Sequence, residues 1–255
     1  MNHKPWQSIF DTYKIHKHNF SQTPFVLTAG QIKSATAHFT NTNEKEVRVL
    51  CKQDTRESRP QVFVDNNLFI LPIKNGIYTI LQGEGYIDIP EISTQINMYK
   101  SKLDFELETS QIGNSEMQHL DFAYASSLVR SFLEDESLVL TIRGRKYTPK
   151  FEFYAGQHKQ LITTISVQTE VDAGYEGRNQ IVLIEAKNSA TKNTIIRQLY
   201  YPFRQWQIHT KKKVSILFFE KRKNTYSLWV FGFADENDYN SIALLKSARF
   251  QMQDK

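Results

Sequence analysis

The apolar positions change their period along the chain, and the changes mark its elements. Residues 1–22 read as a short polar arm with one helix start, in which Trp6, Ile9 and Phe10 stand among polar neighbours. Thr28 has the side chain of a helix N-cap, and Ile32, Ala35 and Phe39 then recur on one face, which predicts a helix over 29–39. Two further short helices are predicted at 44–50 and 61–66, the second equally readable as extended chain. Between them, 52–60 is polar, charged and closed by Pro60, the composition of a loop. The clearest local signal follows. Two β-prone runs, 68–73 and 77–81, flank Lys74-Asn75-Gly76, and Asn-Gly in that setting predicts a hairpin. Pro72 suits an edge strand.

Gly83, Gly85 and Pro90 then interrupt the pattern, and 84–114, polar and mixed, reads as a linker. This divides the chain near residue 95, into domains 1–95 and 96–255. A helix is predicted over 115–133, with Leu120, Tyr124, Leu128 and the Phe132/Leu133 pair as its buried stripe. Strands follow at 138–142 and 150–154, separated by the basic Arg143-Gly144-Arg145-Lys146, and then at 161–171 and 181–185. A helix over 191–207 contains Pro202, which predicts a kink or an early end. Runs 214–219 and 227–233 are two more strands. Helix, several strands, helix and strand make an α/β chain with a mixed (α+β) sheet.

Composition narrows the function classes. With 255 residues the chain builds one large domain or two smaller ones around a sizeable core. Lys plus Arg total 32 against 27 Asp plus Glu, a net charge of +5, which permits a polyanionic partner without demanding one. A single cysteine, Cys51, excludes an internal disulfide framework and a Cys-rich zinc site. The histidines form no helical H-x-x-x-H pair, so no zinc site is expected. No long apolar run marks a membrane span, and the N-terminus lacks a signal-peptide core. A cytoplasmic protein is expected.

The stretch that carries chemistry is 167–188, VQTEVDAGYEGRNQIVLIEAKN. Asp172 closes one apolar-rich run, and a turn-like patch separates it from the next, 181–184, which ends in Glu185-Ala186-Lys187. Strand alternation puts Glu185 and Lys187 on one face and Ala186 on the other. Carboxylates hold a hard cation through oxygen, and a lysine beside the water it activates completes a hydrolytic site. Each element has a plainer reading: Asp-Ala-Gly is common turn chemistry, and Glu-Ala-Lys is a common surface tripeptide. Their joint occurrence at the ends of neighbouring apolar runs favours a site.

The order of elements and the Asp172…Glu185-Ala186-Lys187 spacing resemble the PD-(D/E)XK nuclease superfamily over roughly residues 115–235. The resemblance implies a four-stranded mixed core sheet flanked by helices, with the aspartate on the second strand and Glu-X-Lys on the third. It implies Mg2+ held by Asp172, Glu185 and the carbonyl of Ala186. Gln198, on the following helix, matches a glutamine often found there. A further acid from the preceding helix is implied, Glu116 in preference to Asp121, which adjoins the apolar stripe. Glu170, two residues before Asp172, is another candidate ligand, more readily read as a solvated carboxylate. Val171 stands where the family name has proline, a position often altered among relatives.

The chain as a whole resembles bacterial type II restriction endonucleases: a restriction-endonuclease-like C-terminal domain with a winged-helix-like N-terminal domain, the latter over roughly 24–84. This implies sequence-specific, Mg2+-dependent cleavage of double-stranded DNA by a homodimer. Gln53, Arg56 and Arg59 in the first domain, and Arg143 and Arg145 in the second, have the planar multi-donor groups that read bases. Lys211-Lys212-Lys213 and Lys221-Arg222-Lys223 are solubilising loop charges or phosphate contacts. Two rival functions stay open: a structure-specific DNA repair nuclease, and a non-catalytic DNA-binding regulator.

Overall fold

In the computed structural model, which describes residues 2–253, the N-terminal segment is a packed helix and not a polar arm. Helix α1 (His3–Tyr13) turns Trp6, Ile9 and Phe10 to one side, at the i, i+3, i+4 spacing of a single helical face, and all three are buried. Trp6 Nε1 also donates to the Leu50 carbonyl at 2.9 Å.

Strand β1 (Phe25–Thr28) runs into helix α2 (Ala29–Thr36). The Thr28 hydroxyl accepts the Gln31 N–H at 3.2 Å while Gln31 Oε1 accepts the Thr28 N–H at 2.8 Å, a reciprocal cap that starts the helix where expected. The helix stops at Thr36, short of Phe39. Helices α3 (Val47–Leu50) and α4 (Gln61–Asp65) follow, then the hairpin of β2 (Leu68–Lys74) and β3 (Ile77–Gln82). Gly76 takes φ +72° in its turn, a backbone that glycine adopts without strain. Strand β1 joins the hairpin in the order β1-β3-β2, which leaves β2 and its Pro72 at an edge.

The segment read as a linker belongs to the second core. It contributes β4 (Tyr86–Asp88) and β5 (Asn97–Tyr99), and Tyr86, Ile89 and Ile92 are buried. Both strands are too short to show a period, and their partners lie far along the chain. The helix expected over 115–133 is two, α5 (Glu116–Ala125) and α6 (Leu128–Leu133), broken at Ser127 with φ 66°.

Strand β6 (Val139–Tyr147) runs on through the basic stretch 143–146 that was expected to separate two strands. A hairpin, β7 (Phe151–Ala155) and β8 (Gln160–Thr164), intervenes before β9 (Gln168–Glu176) and β10 (Gln180–Lys187). Ser166, at φ 55°, breaks the run expected over 161–171. Then come β11 (Asn193–Ile195), α7 (Arg197–Gln207), β12 (Lys213–Arg222), β13 (Thr225–Phe233) and β14 (Ile242–Met252). Helix α7 continues through Pro202 to Gln207. Strand β14 lies beyond any predicted element.

Among the described residues the larger sheet has the order β5-β14-β13-β12-β10-β9-β6. Strand β9 is antiparallel to both β6 and β10, while β10 and β12 run parallel, joined by a crossover through α7. Strand alternation splits the core in two. Ile181 and Leu183 meet Leu199, Tyr200 and Phe203 of α7 on one face. Val182, Ile184 and Ala186 meet Leu120, Ala123, Leu128 and Phe132 of α5 and α6 on the other. The fold is a mixed α/β arrangement around this sheet.

Candidate active site

Strand β9 pairs with β10 from Glu176 opposite Ile181 as far as Ala173 opposite Ile184. Beyond that point the Asp172 side chain replaces the main chain: its Oδ2 accepts the Ala186 N–H at 2.7 Å. Within an antiparallel strand the N–H and C=O of one residue face the same neighbour, so the Ala186 carbonyl also faces the Asp172 side. The pairing of β6 with β9 shifts register between Ile142 and Gly144, opposite the Val171–Gly174 stretch, and frees Asp172 from the ladder. Asp172-Ala173-Gly174 is thus strand and not turn. A Cβ on Gly174 would lie 2.7 Å from Ile142 Cβ, so glycine is there to let β6 approach.

Glu185 and Lys187 share a strand face, as their spacing requires, and Lys187 Nζ donates to Glu185 Oε1 at 2.5 Å. Their side chains are 14% and 25% exposed. Burial pushes the Glu185 carboxyl up to about 7, with Asp172 and Glu116 adding repulsion and Lys187 opposing it. Asp172 is raised mainly by burial as well, against the Ala186 hydrogen bond and the charge of Lys187. Burial alone would lower Lys187, but Glu185, Glu116 and Asp172 outweigh it and hold the ammonium charged. These mutual effects bring Asp172, Glu185, Lys187 and Glu116 into one electrostatic cluster.

The structure separates the two helical acids. Glu116, in the first turn of α5, accepts the Asn188 N–H at 3.2 Å and so holds the chain just past Lys187. Asp121 pairs instead with Arg143. Glu170 pairs with Arg145 at 3.2 Å, both side chains more than half exposed, and shares a shallow crevice with Glu185 and Gln198. Gln198, in the first turn of α7, lines the same crevice and accepts from Thr194 Oγ1 at 2.6 Å, which fixes its carbonyl. Among the described residues no group of three or more His, Cys, Asp or Glu is disposed to hold a metal ion alone. A cation here would draw on two carboxylates, the Ala186 carbonyl and water, a hard oxygen set that suits Mg2+.

Two residues at the site escaped the sequence reading. Asn188 donates through Nδ2 to the Asn114 carbonyl at 3.1 Å, beside its bond to Glu116. Glu220 stands opposite Lys187 on β12, is buried, accepts the Thr191 N–H at 3.1 Å and pairs with Arg222 at 2.8 Å. An acid ending an apolar run, Phe218-Phe219-Glu220, repeats the pattern that marked Glu185 and was the available signal.

The residues read as base contacts in the first domain have other work. Gln53 is 2% exposed, and neither side-chain amide atom has a hydrogen-bond partner among the described residues, so it is closed to a base edge. Arg56 pairs with Glu84 and Asp88. The Arg59 guanidinium lies over the Tyr86 ring, 5.1 Å from its centroid, and donates to the Arg56 and Leu68 carbonyls. This loop ties the domains together. The Asp54 carbonyl accepts the Ile195 N–H at 2.8 Å, and Asn193 Oδ1 accepts the Arg56 N–H at 2.7 Å. Arg143 and Arg145 lie on β6, the sheet edge, where their carboxylate partners are exposed.

Residues 81–251 match the family described as Domain of unknown function (DUF6997). The chain belongs to the DUF6997 family. The whole acidic cluster falls within the DUF6997 match, and Domain of unknown function (DUF6996) matches residues 3–80. The two matches meet within β3, whereas the sequence reading divided the chain near 95. No curated protein and no solved structure matches the chain significantly. Among the described residues no helix is long and apolar enough to cross a membrane.

Proposed function

We propose that this DUF6997 protein is a Mg2+-dependent DNA endonuclease of the restriction type, with Asp172, Glu185 and Lys187 as its catalytic residues. The observation that carries the reading is their convergence where β9 and β10 part, with the Ala186 main chain turned to Asp172. The core order β6-β9-β10-β12, with the last pair parallel and α7 crossing between them, supports a PD-(D/E)XK nuclease domain. The order helix, strand, helices and hairpin in residues 3–82, with β1 pairing β3, supports a winged-helix-like first domain.

Phosphodiester hydrolysis needs an activated water and relief of charge on the pentacovalent centre. Mg2+, when bound by Asp172, Glu185 and the Ala186 carbonyl, supplies Lewis-acid charge to both. The remaining work falls to the protein. Lys187, held charged by its acidic neighbours, serves as a donor to the phosphate in preference to a base. Gln198 orients the attacking water through its amide nitrogen. Glu116 steadies the end of β10 through Asn188. Arg143 and Arg145, on the exposed sheet edge, and the loop lysines meet the DNA backbone. One such site per chain cuts one strand, so a homodimer cuts a duplex. The test is digestion of a large double-stranded DNA in Mg2+ and in EDTA, with sequencing of the ends. A shared sequence at the ends supports a restriction enzyme, ends that track junctions or flaps support a repair nuclease, and binding without cuts in any divalent ion supports a regulator.

A further inference from the structure

Strand β11 is buried along its whole length, and both of its edges are occupied. Strand β4 pairs with it antiparallel, Asn193 opposite Asp88 and Ile195 opposite Tyr86. The 52–60 loop of the first domain takes the other edge. The Asp54 carbonyl accepts the Ile195 N–H at 2.8 Å. Asn193 Oδ1 accepts the Arg56 N–H, and Asn193 Nδ2 donates to the Glu57 carboxylate. Just past the strand, the Arg197 guanidinium pairs with Asp54 at 3.6 Å. The residues on both sides of Thr194 are therefore fastened to the first domain.

Thr194 itself reaches into the second domain. Its hydroxyl donates to Gln198 Oε1 at 2.6 Å, the one side-chain hydrogen bond that either residue makes among the described residues. Valine has nearly the same shape and forms strands as readily, so strand formation alone does not call for threonine here. A buried hydroxyl needs a partner, and Gln198 is that partner. The benefit is mutual. A glutamine side chain is long and rotates freely, and a bond at its tip removes much of that freedom. Gln198 lines the crevice that Glu185 and Glu170 also line.

We infer that Thr194 is a positioning residue: it carries the grip of the 52–60 loop on β11 to Gln198, and so sets the Gln198 amide in the crevice beside Glu185. Its part in catalysis rests on the proposed DNA hydrolysis; the link from loop to amide does not. Each member of that link bonds directly to the next, Glu57 to Asn193, the strand to its own Thr194, and Thr194 to Gln198. A change in the first domain at Glu57 thus reaches the candidate active site.

The test follows the side-chain amide signals of the 15N-labelled full chain. Gln198 is assigned by its loss in Gln198→Met, and Gln205, bonded to Thr169 near the other end of α7, is the control. The inference expects Thr194→Val to move the Gln198 signals toward those of a free glutamine, Thr194→Ser to leave them in place, and Gln205 to stay put in both. It expects Glu57→Ala, an exposed first-domain change, to move Gln198 in the same direction, and Asn193→Ala to move it further. Gln198 signals unmoved by Thr194→Val would overturn the inference, and signals unmoved by Glu57→Ala and by Asn193→Ala would overturn the link to the first domain. Cleavage of DNA on the same proteins tests the catalytic part. Thr194→Val should lower kcat about threefold or more, as loss of one hydrogen bond does, with KM unchanged, activity restored in Thr194→Ser and no further loss in a Gln198→Met background. Wild-type cleavage undiminished in Thr194→Val would overturn that part. No cleavage by wild type in any divalent ion removes the nuclease reading and the catalytic part with it, while the amide signals still decide whether Thr194 holds Gln198.

Discussion

Asp172 Oδ2 takes the main-chain N–H of Ala186 at 2.7 Å, so one carboxylate both closes the ladder between β9 and β10 and stands at the head of the acidic cluster. Asp172→Asn keeps a side-chain acceptor for that N–H and removes only the charge, whereas Asp172→Ala leaves a buried donor unpaired. We predict that Asn leaves the unfolding free energy within about 1 kcal/mol of wild type while Ala costs about 1–3 kcal/mol. Both lose DNA cleavage by at least about a hundredfold. Chemical denaturation beside nicking assays separates the two roles; equal stability of Asn and Ala variants would refute the structural one.

The pH dependence of stability follows from Glu185. Its value in the fold, about 7, lies above the ordinary 4.5. The folded chain keeps a proton there that the unfolded chain releases. The group therefore favours the fold fully below about 4.5, and that contribution is lost as pH rises to about 7. Asp172 is shifted in the same direction. Without divalent ions, the melting temperature of wild type relative to Glu185→Gln should fall across this window. Mg2+ or Ca2+ competes with that proton, so the stabilisation either ion gives should grow as pH rises through about 7. Calorimetry with and without the ion reads both slopes, and parallel curves for wild type and Glu185→Gln would contradict the assignment.

Gln53 makes the opposite kind of prediction. A buried amide with neither atom hydrogen-bonded among the described residues is a cost to the fold. Gln53→Met should leave stability unchanged or raise it by about 1–3 kcal/mol and leave DNA affinity intact. A loss of sequence preference in that variant would return Gln53 to the role its loop first suggested.

Asn193, on the second domain, holds the 52–60 loop of the first domain through both ends of its side-chain amide. Its carbonyl takes the Arg56 N–H at 2.7 Å, and its amide nitrogen reaches the Glu57 carboxylate at 2.9 and 3.1 Å. Asn193→Ala should cost about 2–3 kcal/mol and open the 52–60 loop to protease, as limited proteolysis would report. Protection equal to wild type would mean that the Arg56 pairs with Glu84 and Asp88 and the Asp54–Arg197 pair at 3.6 Å hold the junction without it.

Legibility in the sequence followed the range of the interactions. The Thr28 cap and the Asn75-Gly76 turn are set by neighbours within a few residues, and both elements lie where their patterns put them. Alternation along Ile181–Lys187 likewise separated Glu185 and Lys187 from Ala186, which now faces α5. What failed depends on partners far away. Gly174 looked like a turn residue because nothing near it in the chain reveals that Ile142 lies against it. Strands β4 and β5 looked like linker because β11 and β14 give them their pairing. The first helix looked polar because only three of its eleven positions carry the large side chains that α4 and α3 cover. Gln53, Arg56 and Arg59 have groove-reading side chains, yet the ladder-like contacts with Glu84, Tyr86 and Asn193 claim that loop. Glu116 was preferred to Asp121 on the apolar stripe, and the bonds to Asn188 and Arg143 now divide them on geometry.

The central claim is that Asp172, Glu185 and Lys187 act as one hydrolytic unit on DNA. The most direct measurement is cleavage of plasmid and of large genomic DNA in Mg2+ by wild type beside Lys187→Ala, a variant that removes the ammonium and leaves both carboxylates in place. The account predicts cuts by wild type that disappear with EDTA and fall by at least about a hundredfold in the variant. Intact DNA across all substrates, or cleavage undiminished by Lys187→Ala, would contradict it.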